Sequence, residues 1–158
     1  MLEMISYKLS RDYSVASQIS KRDVYKISAA GFKAIICNRP DYENPDDLRS
    51  ASIKAAALDS GLKFAENVFD DANFGSDKIA LQTKLLKELP GPVLAYCRSG
   101  TRSSVIWAFL KVGTMDIDKI LAATEQAGYH LAHLRPQLEK FALNQTEEKT
   151  ISGRGKHL

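Results

Sequence analysis

Four apolar residues, Val93-Leu94-Ala95-Tyr96, stand between the hard turn Pro90-Gly91-Pro92 and the polar run Cys97-Arg98-Ser99-Gly100-Thr101-Arg102, and an apolar segment follows at once. This order constrains the fold more than any other feature of the chain. A run so short, bounded by turn residues, reads as a buried strand. The segment after it, with Val105, Ile106, Trp107, Phe109 and Leu110, reads as a helix packed on most of its sides. A buried strand feeding such a helix through a glycine-containing loop is half of a strand–helix–strand unit, and that unit requires a sheet covered by helices.

The rest of the chain repeats the alternation. Ile5, Tyr7 and Leu9 alternate with polar residues, and Tyr13 and Val15 flank Ser14, which predicts one or two short strands between Ile5 and Ile19. Ser20 and Asp23 have the spacing of a capping box for a helix ending at Gly31. Phe32 to Cys37 is a compact apolar run, expected as a strand and broken by Asn38-Arg39-Pro40-Asp41. Asn44 as N-cap, Pro45 at the first helical position and Asp46 and Asp47 in the first turn predict a helix that Gly61 closes. Phe64 to Phe69 reads as a strand, and Ser76 as the cap of a helix reaching about Leu89. Asp116 opens a helix that ends at Gly128, and Pro136 sits in the first turn of a last one. The expectation is a single α/β domain over residues 1–145, with a mostly parallel central sheet flanked by helices, and a polar, flexible tail over 146–158.

In such a sheet ligands collect at the carboxyl ends of the strands. Three strands would end at Asn38-Arg39, at Asp70-Asp71 and at Cys97, so one layout brings all three segments to the same rim. Composition narrows the function by exclusion. The 158 residues carry a formal net charge of only +3, with basic and acidic residues interleaved, which argues against a nucleic-acid partner. The best apolar run, Val105 to Val112, is interrupted by Lys111 and far too short to span a bilayer. Two cysteines suggest no disulfide framework, and the first nine residues do not read as a signal peptide, so a cytoplasmic protein is expected. His130 and His133 lack companions that would complete a ligand set, so no metal or other cofactor is expected.

The residues from Cys97 to Arg102 are those of an anion trap. Ser99, Gly100 and Thr101 let the backbone curl until successive N–H groups face inward. The helix beginning near Arg102 adds its positive end, and Arg102 can clamp two oxygens with its fork of donors. All three features favour a thiolate, and hence a nucleophile, at Cys97. Ser103 is placed to donate to the sulfur when it must leave, and Arg98 adds charge. Arg39 is a further candidate for holding a substrate anion, and Asp70 or Asp71 for protonating a leaving oxygen. Cys37, at the end of an apolar strand with no such loop behind it, reads as a core residue.

Cys97 to Ser103, preceded by Tyr96, resembles the active loop of rhodanese-type sulfurtransferases. Ile35 to Asp41 taken with Leu94 to Ser103 resembles more closely the bacterial beta-lactamase hydrolase-like, phosphatase-like domain family, over roughly Ile5 to Leu143. That resemblance implies a fold similar to dual-specificity phosphatases, with Cys97 as nucleophile and Arg102 as anion-binding arginine. Members of the family are described either as phosphatases or as sulfur transferases. Tyrosine-type phosphatases show His-Cys-x5-Arg, whereas Tyr96 replaces the histidine here and four residues separate Cys97 from Arg102. A loop one residue shorter narrows the cradle. On that ground the expected reaction is sulfur transfer, from thiosulfate or a persulfide, through a Cys97 persulfide, to an acceptor thiol. Phosphoester hydrolysis through a Cys97 phosphoenzyme is the alternative, and a redox or anion sensor without turnover is the third.

Overall fold

A computed structural model describes the backbone of residues 5–155 and the side chains of residues 5–146. Five strands, β1 (Ser6–Ser10), β2 (Tyr13–Ala16), β3 (Ala34–Cys37), β4 (Lys63–Glu66) and β5 (Val93–Tyr96), form one sheet in the order β1-β2-β5-β3-β4. β1 and β2 make an antiparallel hairpin, and β2, β5, β3 and β4 run parallel. The sheet is therefore mixed, with a parallel centre. Six α-helices cover it: α1 (Lys21–Ala29), α2 (Ser50–Asp59), α3 (Ser76–Glu88), α4 (Thr101–Lys111), α5 (Ile117–Gln126) and α6 (Arg135–Gly155).

Alternation along each strand divides the core in two. Ile35, Cys37, Leu94 and Tyr96 face α1 and α2, where Val24, Ile27 and Ile53 meet them. Ile36, Val93 and Ala95 face the other helices, against Ile106, Trp107, Ile120 and Leu138. Each fully buried isoleucine or leucine contributes roughly 1.5–3 kcal/mol relative to leaving it exposed. Helix α4 lies at the middle of the second layer, with Trp107 wholly buried, which explains why it is apolar on most sides. The edge strand β1 is less committed than its alternation implies: Leu9 enters the core, while Ile5 and Tyr7 stay exposed.

The expected elements are present, with differences in their ends. The strand expected over Phe64 to Phe69 stops at Glu66, so Asp70 and Asp71 lie in the loop beyond it and not at the strand end. The helix predicted from Asn44 is two short 3-10 turns, Asp41–Glu43 and Asp46–Leu48, followed by α2 from Ser50. Arg49 is extended (φ −66°, ψ 156°), and the Asp41 carboxylate takes over the capping by accepting from the Ser50 N–H at 2.8 Å. Asn44 is not a cap, because its amide donates to Gln18 Oε1 and to the Leu48 carbonyl. Gly75, not Ser76, is the N-cap of α3. Helix α6 continues past the boundary expected at residue 145, as far as Gly155. His157 and the first four residues lie outside the described residues.

The parallel register aligns the strand ends. Cys37 is opposite Tyr96 on one side and Glu66 on the other. The chain thus leaves β3, β4 and β5 at one level, and the segments beginning Asn38, Asn67 and Cys97 share a rim. Beneath it lies a buried polar network. The Tyr13 hydroxyl donates to the Ser103 carbonyl at 2.8 Å, Ser103 Oγ to Asn38 Oδ1 at 2.8 Å, and Asn38 Nδ2 to Gln82 Oε1 at 3.0 Å. Gln82 Nε2 returns to the Tyr13 oxygen at 3.2 Å. Every member is less than 5% exposed, and the ring ties the first turn of α4 to β2, β3 and α3. Burial raises the pKa of Tyr13 far above the ordinary phenol value, so its hydroxyl remains a donor.

Candidate active site

The Cys97 loop is built by turning its peptides. The Gln18 N–H donates to the Arg98 carbonyl at 3.2 Å, drawing that oxygen outward. The Tyr129 hydroxyl does the same to the Ser99 carbonyl, also at 3.2 Å. In a trans peptide the C=O and the following N–H point opposite ways, so the N–H groups of Ser99 and Gly100 are turned inward. The Gly100 N–H meets Cys97 Sγ at 3.1 Å. Gly100 reaches this position at φ +92°, in the left-handed region that glycine adopts without strain, and it is the N-cap of α4. Ser99 and Thr101 close the outer wall through their hydroxyls, 3.0 Å apart.

Arg102 stands over the loop, with one arm committed and one open. Its Nη2 donates to both carboxylate oxygens of Glu43, at 2.9 and 2.8 Å. Its Nη1 is buried and has no hydrogen-bond partner among the described residues. Burial disfavours the guanidinium charge, but Glu43, a Cys97 thiolate and Asp71 outweigh it, and the pKa is raised.

The Arg39 guanidinium, expected as a further holder of a substrate anion, is turned to protein partners. Its Nε donates to Glu43 Oε1, its Nη1 to Gln18 Oε1 and its Nη2 to the Glu43 carbonyl, and the side chain is buried. It buttresses Glu43 instead. The Ser103 hydroxyl, expected to face the sulfur, donates to Asn38. Arg98 is exposed.

The two aspartates separate. Asp70 is half-buried; it accepts from the Tyr42 hydroxyl and from the N–H groups of Ala72 and Asn73, and these bonds, that of Tyr42 foremost, hold its carboxyl below the usual range. Asp71 instead lines a cleft beside Arg102 and Thr101. The cleft has a volume of about 600 Å³, and its walls include Phe69, Phe74, Phe109, Tyr129 and Leu134.

Cys37 lies apart from this site. It packs with Tyr96 on the α1–α2 face of the sheet, and burial, only partly offset by hydrogen bonding to Tyr96, pushes its thiol up to about 11. Iodoacetate, an anion the loop attracts, should therefore alkylate Cys97 and leave Cys37 unmodified at neutral pH. Tryptic mass spectrometry checks this, and first labelling at Cys37 would contradict the assignment.

Glu43, Gln18, Gln82 and Tyr129 escape a sequence reading. Arg39 and Glu43 do stand four residues apart, a spacing that brings opposite charges together on one turn. Tyr129 carries no such signal, since only the packing of α5 brings it to the loop.

A cysteine and an arginine at a strand-to-helix loop, in a parallel-centred α/β sheet with an acid-bearing segment on the same rim, define a domain of the cysteine-phosphatase architecture. The chain belongs to the family described as "Beta-lactamase hydrolase-like protein, phosphatase-like domain", whose model matches residues 7–114. A beta-lactamase hydrolase-like protein of Agrobacterium fabrum is 29% identical over 104 residues, which are 66% of this chain and 24% of that protein. One from Xylella fastidiosa is 26% identical over 82% of this chain and 31% of its own length. The chain thus spans a quarter to a third of these curated relatives. Among solved structures, a candidate phosphatase of Neisseria meningitidis is 31% identical, with a TM-score of 0.77, covering 85% of this chain and 96% of that one. The core catalytic domain of the PP-IP phosphatase SIW14 from S. cerevisiae shares the fold at 16% identity and a TM-score of 0.65, over 99% and 96% of the two chains. Fold and family both favour the phosphatase alternative over the sulfur transfer that loop length suggested. Among the described residues, no helix is long and apolar enough to cross a membrane.

Proposed function

We propose that the chain hydrolyses phosphate monoesters through a Cys97 phosphoenzyme. The observation that carries this reading is the unpartnered Nη1 of Arg102, a buried donor beside a loop whose Gly100 N–H faces Cys97 Sγ. Leaving such a donor unsatisfied costs about 1–3 kcal/mol, more for a charged group, and a phosphoryl oxygen would relieve that cost.

In the proposed reaction Cys97 Sγ attacks phosphorus as the ester oxygen departs, and the loop amides and Arg102 hold the equatorial oxygens. Asp71 gives the leaving oxygen its proton, then takes one from the water that cleaves the thiophosphate. Asp71 is preferred over Asp70 because it lines the cleft, whereas Asp70 is held ionised by Tyr42. The cleft suits an aromatic or apolar leaving group. Its lining also contains one guanidinium, Arg102, one carboxylate, Asp71, and the imidazoles of His130 and His133. A short loop alone does not favour sulfur: a sulfane atom needs neither an acid nor a cleft for an ester group.

Side-by-side turnover assays with an aryl phosphate, thiosulfate and glutathione persulfide test the reading. Aryl phosphate turnover that vanadate inhibits is expected, and Asp71→Asn should lower kcat on the order of 10²-fold or more. Asp70→Asn should change it little. Turnover of thiosulfate or persulfide, with none of the aryl phosphate, would reverse the assignment.

A further inference from the structure

We infer that Tyr129 is a positioning residue for the anion loop, its phenol turning the Ser99–Gly100 peptide so that the Gly100 N–H faces the Cys97 sulfur. The inference rests on the reading of Cys97 as the nucleophile. Tyr129 lies beyond the segment that matches the family model, in the connection after α5.

One peptide plane links the two groups. Its carbonyl oxygen accepts from Tyr129 at 3.2 Å, and its N–H donates to Cys97 Sγ at 3.1 Å on the opposite side. Rotating that plane would remove the donor from the sulfur and turn a carbonyl oxygen toward the anion. A peptide ending in glycine resists such rotation weakly, because glycine populates both signs of φ. An external restraint is therefore needed, and the phenol supplies it.

The fit between Tyr129 and Gly100 is close. A Cβ added to Gly100 would stand 2.1 Å from the Tyr129 oxygen and 2.9 Å from Cζ, so any larger residue would displace the ring. Tyr129 is itself held in place. Gly128 ends α5 at φ +94°, the Tyr129 N–H donates to the Thr124 carbonyl at 2.9 Å, and the ring meets Tyr7 edge-on with centroids 6.2 Å apart. Burial foremost, and then the charge of Cys97 as a thiolate, push the phenol up to about 12, so it remains a donor at neutral pH. The preceding peptide has an equivalent restraint from the Gln18 N–H, a backbone group that side-chain substitution leaves in place.

Tyr129 also lines the cleft, so the test must separate a wall from a clamp. Tyr129→Phe keeps the ring and removes the donor. Its expected effect is a roughly three- to tenfold fall in kcat for an aryl phosphate, with KM within about twofold of wild type. The rate of Cys97 alkylation by iodoacetate at mildly acidic pH should fall in parallel, with the melting temperature nearly unchanged. Tyr129→Leu, which removes the wall as well, should raise KM in addition. Wild-type kcat and alkylation rate in Tyr129→Phe would overturn the inference and leave Tyr129 as a wall. If the wild-type protein fails to hydrolyse the ester, the phosphatase reading falls, and the alkylation rates still decide the role of Tyr129.

Discussion

Cys97→Ser is expected to lower aryl phosphate turnover on the order of 10⁴-fold or more, while the protein stays folded and still binds the ester. Each factor of ten corresponds to about 1.4 kcal/mol of barrier, so the single atom change is asked to remove over 5 kcal/mol. A serine hydroxyl remains protonated at neutral pH, and no general base in the described structure is hydrogen-bonded to position 97. The Gly100 N–H, which now meets Sγ at 3.1 Å, has an oxygen to bond in the variant, so the loop should keep its shape. Steady-state kinetics, a melting curve and titration with an unreacted ester read the three parts separately. Retained turnover in the variant would place the chemistry elsewhere. Turnover and ester binding lost together with the melting transition would mean that the thiol is structural.

The second large effect is expected at Glu43. Its carboxylate pairs with Arg39 Nε at 3.2 Å and with Arg102 Nη2 at 2.8 Å, and all three side chains are at most 21% exposed. Glu43→Ala leaves two guanidinium groups facing each other without their shared counter-charge. A fully buried pair broken in this way costs about 3–5 kcal/mol, and the residual solvent here reduces that to about 2–4 kcal/mol. For a domain of this size the melting temperature should fall roughly 5–15 °C. Arg102 would also lose the bond that orients its fork, and a misplacement near 1 Å costs about 10²-fold in rate. Glu43→Gln keeps an acceptor without the charge and should lie between wild type and Glu43→Ala. Inorganic phosphate should raise the melting temperature of Glu43→Ala more than that of wild type, because the anion replaces part of the missing charge. A variant with unchanged stability and kcat/KM would show that Glu43 neither supports nor aims Arg102.

These two positions differ in how they can be found. Cys97 sits in a run whose residue types all serve one purpose, and the run is continuous, so it is legible from local order. Glu43 matters because a 3-10 turn after β3 lifts it to Arg102, 59 residues further along the chain. The same contrast separates Asp70 from Asp71. Adjacent in sequence, they are distinguished by a turn that gives one to Tyr42 and the other to the cleft. Arg39 and Ser103 carry the right chemistry at the right rim, yet burial and competing partners commit them to structure. A residue type and its address do not reveal which partner reaches it first.

Local order in the sequence was enough for the strand–loop–helix at Cys97, the capping box at Ser20, the alternation of elements and the shared rim of three strands. Each follows from spacing along the chain, because strand and helix periods are local properties. Tertiary structure alone decided the direction of the loop peptides, since Gln18 and Tyr129 come from opposite ends of the domain to draw two carbonyls outward. It also decided that one arm of Arg102 is held by Glu43 while the other is left open beside the Cys97 loop. Hydrogen bonds and ion pairs depend on distances of about 3 Å between groups that the chain brings together only when it packs.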